Sequence, residues 1–589
     1  MVCTTNHKWR LLLGAFEIVK TDVLVVGGGG AGCRAAIEAH DRGSNVTMIV
    51  KGRLGHSGCT FNVGTSAAVG PWGDPNDTTD SAMRDLLAHG GFLGIQDLAK
   101  TLVEESPDSV MELERWGIDF ERNDDGSIAM HHASAHSYTR NLAFKPRPGV
   151  KFDYGILPGF AMMDILIQQV RKRNINVMDD VTLVDLVSSE GNVIGAVGLD
   201  CTRGVLIVFS AKATILATGT YSQIFDPTTV DRFETGDGHA AAYRAGADLI
   251  DMESTQFVST SIGFPPGTRF LNARGETFLD KYGITDPKIH TKEELCYAIG
   301  MEVKQGRGTE DGAIYLDLTE PLRNEPAKRP HRFAEILGEY VEKLNSKGEI
   351  IDPRKEPVES QPRSHTTIGG IRINTKCETT LPGLYATGGV AGGVYGHARP
   401  EGYTSMITVV FGRRAGLYAS MGASDAADPS IEDSMIQPIV DRTSVLVDRE
   451  FGADTQALKT ELRRTVRKNA WVIKDEAGLL EGLETVESIK SSYSILKAKD
   501  GFEWESALEL PNMLLSAELM FKCSLERKES RGAFFRSDYP NTDENNWLCN
   551  IIIRQVGGES VIDTVPVDLK YCRPDPQLPP VRLHVGKGS

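Results

Sequence analysis

A run of glycines, set between a short apolar stretch and a stretch with helical period, constrains this chain more than any other feature. DVLVV (22–26) reads as a strand, Gly27-x-Gly29-x-x-Gly32 follows it, CRAAIEAHDRG carries helical character as far as Gly43, and NVTMIVK reads as a second strand. In that context each glycine has a task. The first allows a tight turn, the second lets the backbone approach a pyrophosphate, and the third lets the helix pack on the strand. The helix N-terminus then offers amide donors and the positive end of its dipole to a diphosphate. The acidic residue that ordinarily ends the second strand and binds a ribose is missing, with Val50 and Lys51 in its place, which argues against a simple nicotinamide enzyme.

The chain as a whole, 589 residues of which 40% are hydrophobic and 24% charged, is too long for one ordinary core and too apolar for disorder, so two or three packed domains are expected. Its 64 Lys and Arg against 80 Asp and Glu give a formal net charge of -16, a field that sets aside nucleic acid and anionic lipid surfaces as partners. Nine scattered cysteines contain no Cys-x-x-Cys pair, which suits a reducing cytosol and leaves no ligand set for an iron–sulfur cluster. The opening apolar patch is broken by Glu17 and Lys20, and no uncharged run approaches ~20 residues. A cytoplasmic protein without direct membrane insertion is expected.

Further strand candidates, VIGAVGLD, GVLIVFSAKATILATGT and LPGLYATGGVAG, lie far apart, so the nucleotide domain is expected to be discontinuous. Residues from about 431 onward read as amphipathic helices: VDRTSVLVDREFG, ALKTELRRTVRKNAWVI and GLLEGLETVESIKSSY. A strand-like NIIIRQV and a Pro-rich tail follow.

Four segments carry a resemblance. TGDGHAAAYRAGADLIDMESTQF (235–257), FLNARGETFLDKYG (270–283), HTTIGGIRI (365–373) with GLYATGGVAGGVYGHARPEG (383–402), and LERKESRGAFFRSDYPNTDENNW (525–547) resemble the flavoprotein subunit family of succinate dehydrogenase and fumarate reductase, with L-aspartate oxidase and adenylylsulfate reductase. The resemblance follows the family's order over nearly the whole chain. It implies an α/β fold: a Rossmann-like FAD-binding domain (1–266 and 363–430) with an inserted α+β capping domain (267–362), a C-terminal helical domain (431–560) and a tail (561–589). It also implies interconversion of a C–C single and double bond next to a carboxylate, by hydride transfer at flavin N5. The expected FAD contacts are Gly27, Gly29, Gly30, Gly32, Lys51, Ser57, Gly58, Gly64, Thr218, Gly219, Asp237, Gly388 and Thr404. The family's flavin-linking histidine aligns with Gly58, so FAD is expected to be non-covalent. An iron–sulfur or other electron-carrier subunit is the expected partner.

His365 matches the histidine of the family's H-x-x-x-G-G segment, which holds a substrate carboxylate, and Arg399 lines up with the arginine of its G-A-N-R-x-G segment. A guanidinium fork fits a carboxylate through two parallel hydrogen bonds. Two departures stand out. The family's Q-F-H-P-T reads Gln256-Phe257-Val258-Ser259-Thr260, so a second substrate histidine is missing. The arginine proton shuttle of R-D-x-V falls on Lys292, followed by Glu293; a lysine can donate a proton if burial lowers its pKa. Ser259, Thr260, His136 and Arg140 are further substrate-contact candidates. His131, His132 and His136 carry no accompanying acid or cysteine in MHHASAHSYTR and are not read as a metal site. Gly389 stands where many relatives carry a glutamate that contacts the flavin chain, and Phe534 replaces the histidine of R-G-A-H.

The expected activity is therefore that of an FAD oxidoreductase acting on an organic acid other than succinate or fumarate. The alternatives are an adenylylsulfate-reductase-like enzyme, for which the basic LAFKPRPGVK (142–151) would receive a phosphosulfate, and an electron relay with a degenerate substrate site.

Overall fold

The strand expected at 22–26 begins earlier, as β1 (Glu17–Val26). Its inner half is closed on both faces, with Val23, Leu24 and Val25 fully buried, as a non-alternating Val/Leu run in a parallel sheet requires. α1 (Gly30–Asp41) and β2 (Val46–Val50) follow, the latter pairing parallel with β1. Gly32 permits this return: a Cβ there would lie 2.0 Å from the Gly27 carbonyl oxygen, so any side chain would push the helix off the strand. The structure is a computed structural model that describes residues 17–145, 159–260, 264–324, 351–446 and 452–574.

The central sheet runs Asn176–Asp179, β2, β1, Val205–Leu216, Asn192–Asp200, Val181–Ser189, with Leu384–Ala386 added to the far end of Val205–Leu216. Asn192–Asp200 pairs antiparallel with both of its neighbours, and the other pairings are parallel. All three distant strand candidates thus join one sheet, and the dinucleotide turn opens at the carboxyl ends of its parallel strands, where such folds bind ligands.

Strands Thr255–Val258 and Arg363–Thr367 pair antiparallel, and the chain between them builds a separate apolar cluster that includes Phe270, Phe278, Leu295, Ile299, Leu316 and Val358. A three-stranded antiparallel sheet (Arg269–Leu271, Ile314–Asp317, Val358–Ser360) and the helix Lys292–Lys304 form it. That helix starts where Thr291 and Glu294 close a reciprocal capping box. This is the α+β insertion; residues 325–350 of it lie outside the described residues.

The C-terminal helices are Asp433–Ser444, Thr455–Asn469, Glu476–Ser491 and Gly501–Glu526. The first ends earlier than VDRTSVLVDREFG led us to expect, and 447–451 lie outside the described residues. The boundary expected at 560/561 needs correction: Cys549–Val556 and Glu559–Pro566 form a hairpin that crosses it and joins a sheet with Leu249–Ile250. Burial of Ile551, Ile552 and Ile553 holds that hairpin in place. Among the described residues, no helix is long and apolar enough to cross a membrane.

Candidate functional site

A cavity of about 440 Å³ begins at the glycine turn and runs to the paired strands under the inserted domain. Of the thirteen residues expected to contact FAD, all except Gly32 line it; Gly32 serves helix packing instead. The cavity suits a dinucleotide on three counts. The N-terminus of α1 carries no side-chain cap at Gly29, leaving its amides for a diphosphate. A Cβ on Gly29 would meet nothing nearer than Thr60 Oγ1 at 3.7 Å, so its absence leaves bare backbone facing the cavity. Thr218 Oγ1, on the cavity wall, is buried without a hydrogen-bond partner, an orphan that a ligand would satisfy.

Lys51, at the end of β2, occupies the place of the missing ribose acid, yet it is bound by acids from elsewhere. Its Nζ lies 2.7 Å from Asp237 and 2.6 Å from Glu509 on Gly501–Glu526. Burial disfavours that charge, but Asp237, Glu509 and Glu505 outweigh it and raise the lysine's pKa. Asn512 donates to the other Asp237 oxygen at 2.8 Å. The helical domain therefore completes this end of the cavity.

At the opposite end, Val258, Lys292, His365 and Arg399 line one wall. His365 Nδ1 lies 2.8 Å from Thr229 Oγ1, which commits that nitrogen and leaves Nε2 for the cavity. Burial, reinforced by the positive charges of Arg399, Lys292 and Arg363, holds its pKa well below the ordinary value, so the ring is neutral. Arg399 is 5% exposed and its Nε has no hydrogen-bond partner. Lys292 begins its helix, and burial lowers its pKa against the opposing pull of Glu293. Gln256 joins the two: its Nε2 donates to Glu293 Oε1 at 2.5 Å and to the Arg399 carbonyl at 3.0 Å.

The remaining candidates are not on this wall. Arg140 is fully buried between Asp77, 2.7 Å from its Nε, and Asp85, which corrects the expectation of a substrate contact: its charge is already neutralised. His136 Nε2 meets the Glu401 carbonyl at 2.9 Å and supports the cavity rim from behind. Ser259 and Thr260 are buried beside the strand, outside the lining. His131 pairs with Glu121 at 3.0 Å on the surface. Of the basic segment 142–151, residues 146–151 lie outside the described residues. Sequence reasoning missed Thr229, Glu401 and Glu509. Glu401, two residues from Arg399, had adjacency as a signal; the other two are brought in by distant elements and had none.

The fold and the cavity define an FAD-dependent oxidoreductase, and comparison with known proteins agrees. A model described as an FAD binding domain matches residues 22–405, and one described as the fumarate reductase flavoprotein C-terminus matches 459–581. The chain belongs to the succinate dehydrogenase/fumarate reductase flavoprotein family. It is 32% identical over 562 residues to a subunit of the fumarate reductase (CoM/CoB) of Methanothermobacter marburgensis, covering 92% of this chain and 98% of that one. Among solved structures, the Mycobacterium smegmatis Sdh1 complex superposes with a TM-score of 0.83 at 29% identity, covering 95% of this chain and 96% of that one. The E. coli quinol fumarate reductase FrdA does so with a TM-score of 0.84 at 25% identity, covering 96% and 99%.

Proposed function

We propose that this oxidoreductase interconverts a saturated and an α,β-unsaturated carboxylic acid other than succinate and fumarate. The observation that carries the reading is electrostatic. Buried Arg34, Arg140, Arg527, Arg531 and Arg536 each pair with a carboxylate, whereas Arg399 and Lys292, on the cavity wall, have no ion pair among the described residues. An unpaired buried charge is expensive, on the order of several kcal/mol, and a substrate carboxylate relieves the expense.

FAD, once bound by the glycine turn, Lys51, Asp237 and Thr218, supplies hydride transfer at its N5. The chain's own groups do the rest. Arg399 and neutral His365 grip and polarise the carboxylate, Thr229 holds the imidazole so that Nε2 is offered to it, and Lys292 moves the proton at the neighbouring carbon. Its lowered pKa makes the ammonium a better donor near neutrality. Val258 presents an apolar wall where a histidine donor is absent, which favours a monoacid or a bulkier, less symmetric acid. The relatives' names, which describe subunits, support an electron-carrying partner.

The test is reoxidation of the chemically reduced flavoprotein by a panel of enoates. Rapid reoxidation by enoates other than fumarate is expected. Reoxidation by none of them, with electron transfer to viologen dyes intact, would make the chain an electron relay.

A further inference from the structure

The carboxylates that line the cavity, among the described residues, are Asp237, Glu401 and Glu234. Asp237 is committed to Lys51 and Asn512, and Glu401 stands on the exposed rim. Glu234 differs from both: it is 3% exposed, and the charge that acts on it is that of another acid, Asp231. The Thr220 amide donates to its Oε2 at 2.9 Å and the Thr220 hydroxyl to the same oxygen at 2.5 Å. The Cys59 thiol is in hydrogen-bond reach of the carboxyl group as well. An ionised carboxylate has about four acceptor sites, so capacity remains. Burial raises the pKa of Glu234 and Asp231 adds to the rise; further donors would offset both. A Cβ on Gly219 would lie 2.9 Å from Glu234 Cδ and one on Gly389 2.8 Å from Thr220 Cγ2, so both positions stay bare beside the carboxylate.

Glu234 also lies midway along the cavity. On one side Cys59 follows Gly58, where a Cβ would lie 3.8 Å from the Gly29 Cα in the glycine turn. On the other, Thr220 Oγ1 lies 2.9 Å from Ser222 Oγ, which accepts from the Thr367 amide at 3.1 Å on the strand that carries His365. The turn suits a diphosphate, and the flavin ring has to meet its substrate at the His365 wall, so the chain that joins ring to diphosphate crosses the space between. In FAD that chain is a polyol.

We propose that Glu234 is a cofactor-binding residue whose carboxylate accepts hydrogen bonds from the hydroxyl groups of the FAD polyol. The carboxylate-gripping wall enters only in setting which way round FAD lies; that wall is tested by enoate reoxidation, which the binding measurements below do not use.

The probes are FAD, an FAD analogue with hydrogens in place of the three secondary polyol hydroxyls, and ADP, each titrated into apoprotein with flavin fluorescence or calorimetry as the readout. The unaltered protein is expected to bind the analogue about ten- to a hundredfold more weakly than FAD, the usual effect of losing a hydrogen bond to a charged group. Glu234→Gln should weaken FAD by a similar factor, leave ADP unchanged, and make little further difference to the analogue, since the two changes remove one interaction. The melting temperature of the apoprotein shows whether the variant is folded, and the analogue comparison needs no variant. Equal affinity of the unaltered protein for FAD and the analogue would overturn the proposal. So would a folded Glu234→Gln that binds FAD as before, or one that loses FAD, analogue and ADP alike.

Discussion

Replacing Arg399 by alanine separates catalysis from stability more sharply than any other change in the site. The side chain is 5% exposed, its Nε has no partner, and burial depresses its pKa. In the ligand-free protein it is therefore a desolvated cation without compensation. Removing it should leave the melting temperature unchanged or raise it, because uncompensated buried charge destabilises. In the proposed complex the same guanidinium would be paired with a desolvated carboxylate, and truncating one member of such a pair costs about 2–5 kcal/mol. At 1.36 kcal/mol per factor of ten, kcat/KM should fall by about thirtyfold to a few thousandfold. The assay is enoate-dependent flavin reoxidation by stopped flow, with the melting temperature taken on the same preparation. The main-chain oxygen of residue 399 still accepts from Gln256, so the loop is retained. Turnover unaltered by the substitution would refute the site; a melting temperature lowered in step with activity would refute the electrostatic argument and make Arg399 a structural residue.

Fumarate-dependent reoxidation should be about ten- to a hundredfold slower than with the preferred acid, since Val258 offers no donor, and Val258→His should narrow the gap; equal initial rates for the two acids would contradict this. FAD should leave the polypeptide on acid precipitation, because Gly58 has no nucleophile and His56 is exposed and off the cavity wall; a yellow pellet would show the opposite. Burial depresses His136 to about 4, so the unfolded chain binds a proton that the native one refuses. Native stability should then fall as pH drops from 6.5 towards 4, by up to roughly 3 kcal/mol from this group, and denaturant midpoints at pH 7 and 5 should converge in His136→Gln. Purification from the native source should bring an iron–sulfur or other electron-carrier protein along; isolation as a lone, fully active oxidase with dioxygen would count against a partner.

The glycine turn and its flanking strands were legible because their requirements are local. A tight turn, a close helix and a buried parallel strand each leave a mark within a few residues, and Gly32 packing on Gly27 is such a mark. The helix Gly501–Glu526 left none. It is buried on nearly all sides, so it lacks the polar stripe by which an amphipathic helix is read. Its Glu509 nevertheless reaches Lys51, more than four hundred residues earlier, and supplies a carboxylate that the sequence lacked at the end of β2. Arg140 was misplaced for a related reason: a basic residue near a flavin edge reads as a ligand contact until Asp77 and Asp85 are seen to enclose it. His365 and Arg399 were found through resemblance, whereas Thr229, which holds His365, depends on a strand pairing that spacing does not encode.

The two ends of the cavity obey opposite electrostatic rules, and the difference marks which end belongs to the resident cofactor. At the Lys51 end the charges are balanced within the protein: a buried ammonium lies between Asp237 and Glu509, Lys459 also reaches Glu509, and Asn512 secures Asp237. Such a network is rigid before any ligand arrives and needs no further charge, which suits a cofactor that stays through every turnover. At the His365 end Arg399 and Lys292 have no acid within ion-pair distance among the described residues, and the one histidine is kept neutral. A site left positive in this way is stabilised only while an anion occupies it, and it is destabilised again when product leaves. On the proposed reading, the imbalance would supply both affinity for an incoming acid and a reason for the inserted domain to hold Lys292 close, through Glu293 and Gln256. Had Arg399 been paired as Arg140 is, the cavity would still suit a flavin and would lack the free guanidinium on which the proposed grip of a carboxylate rests.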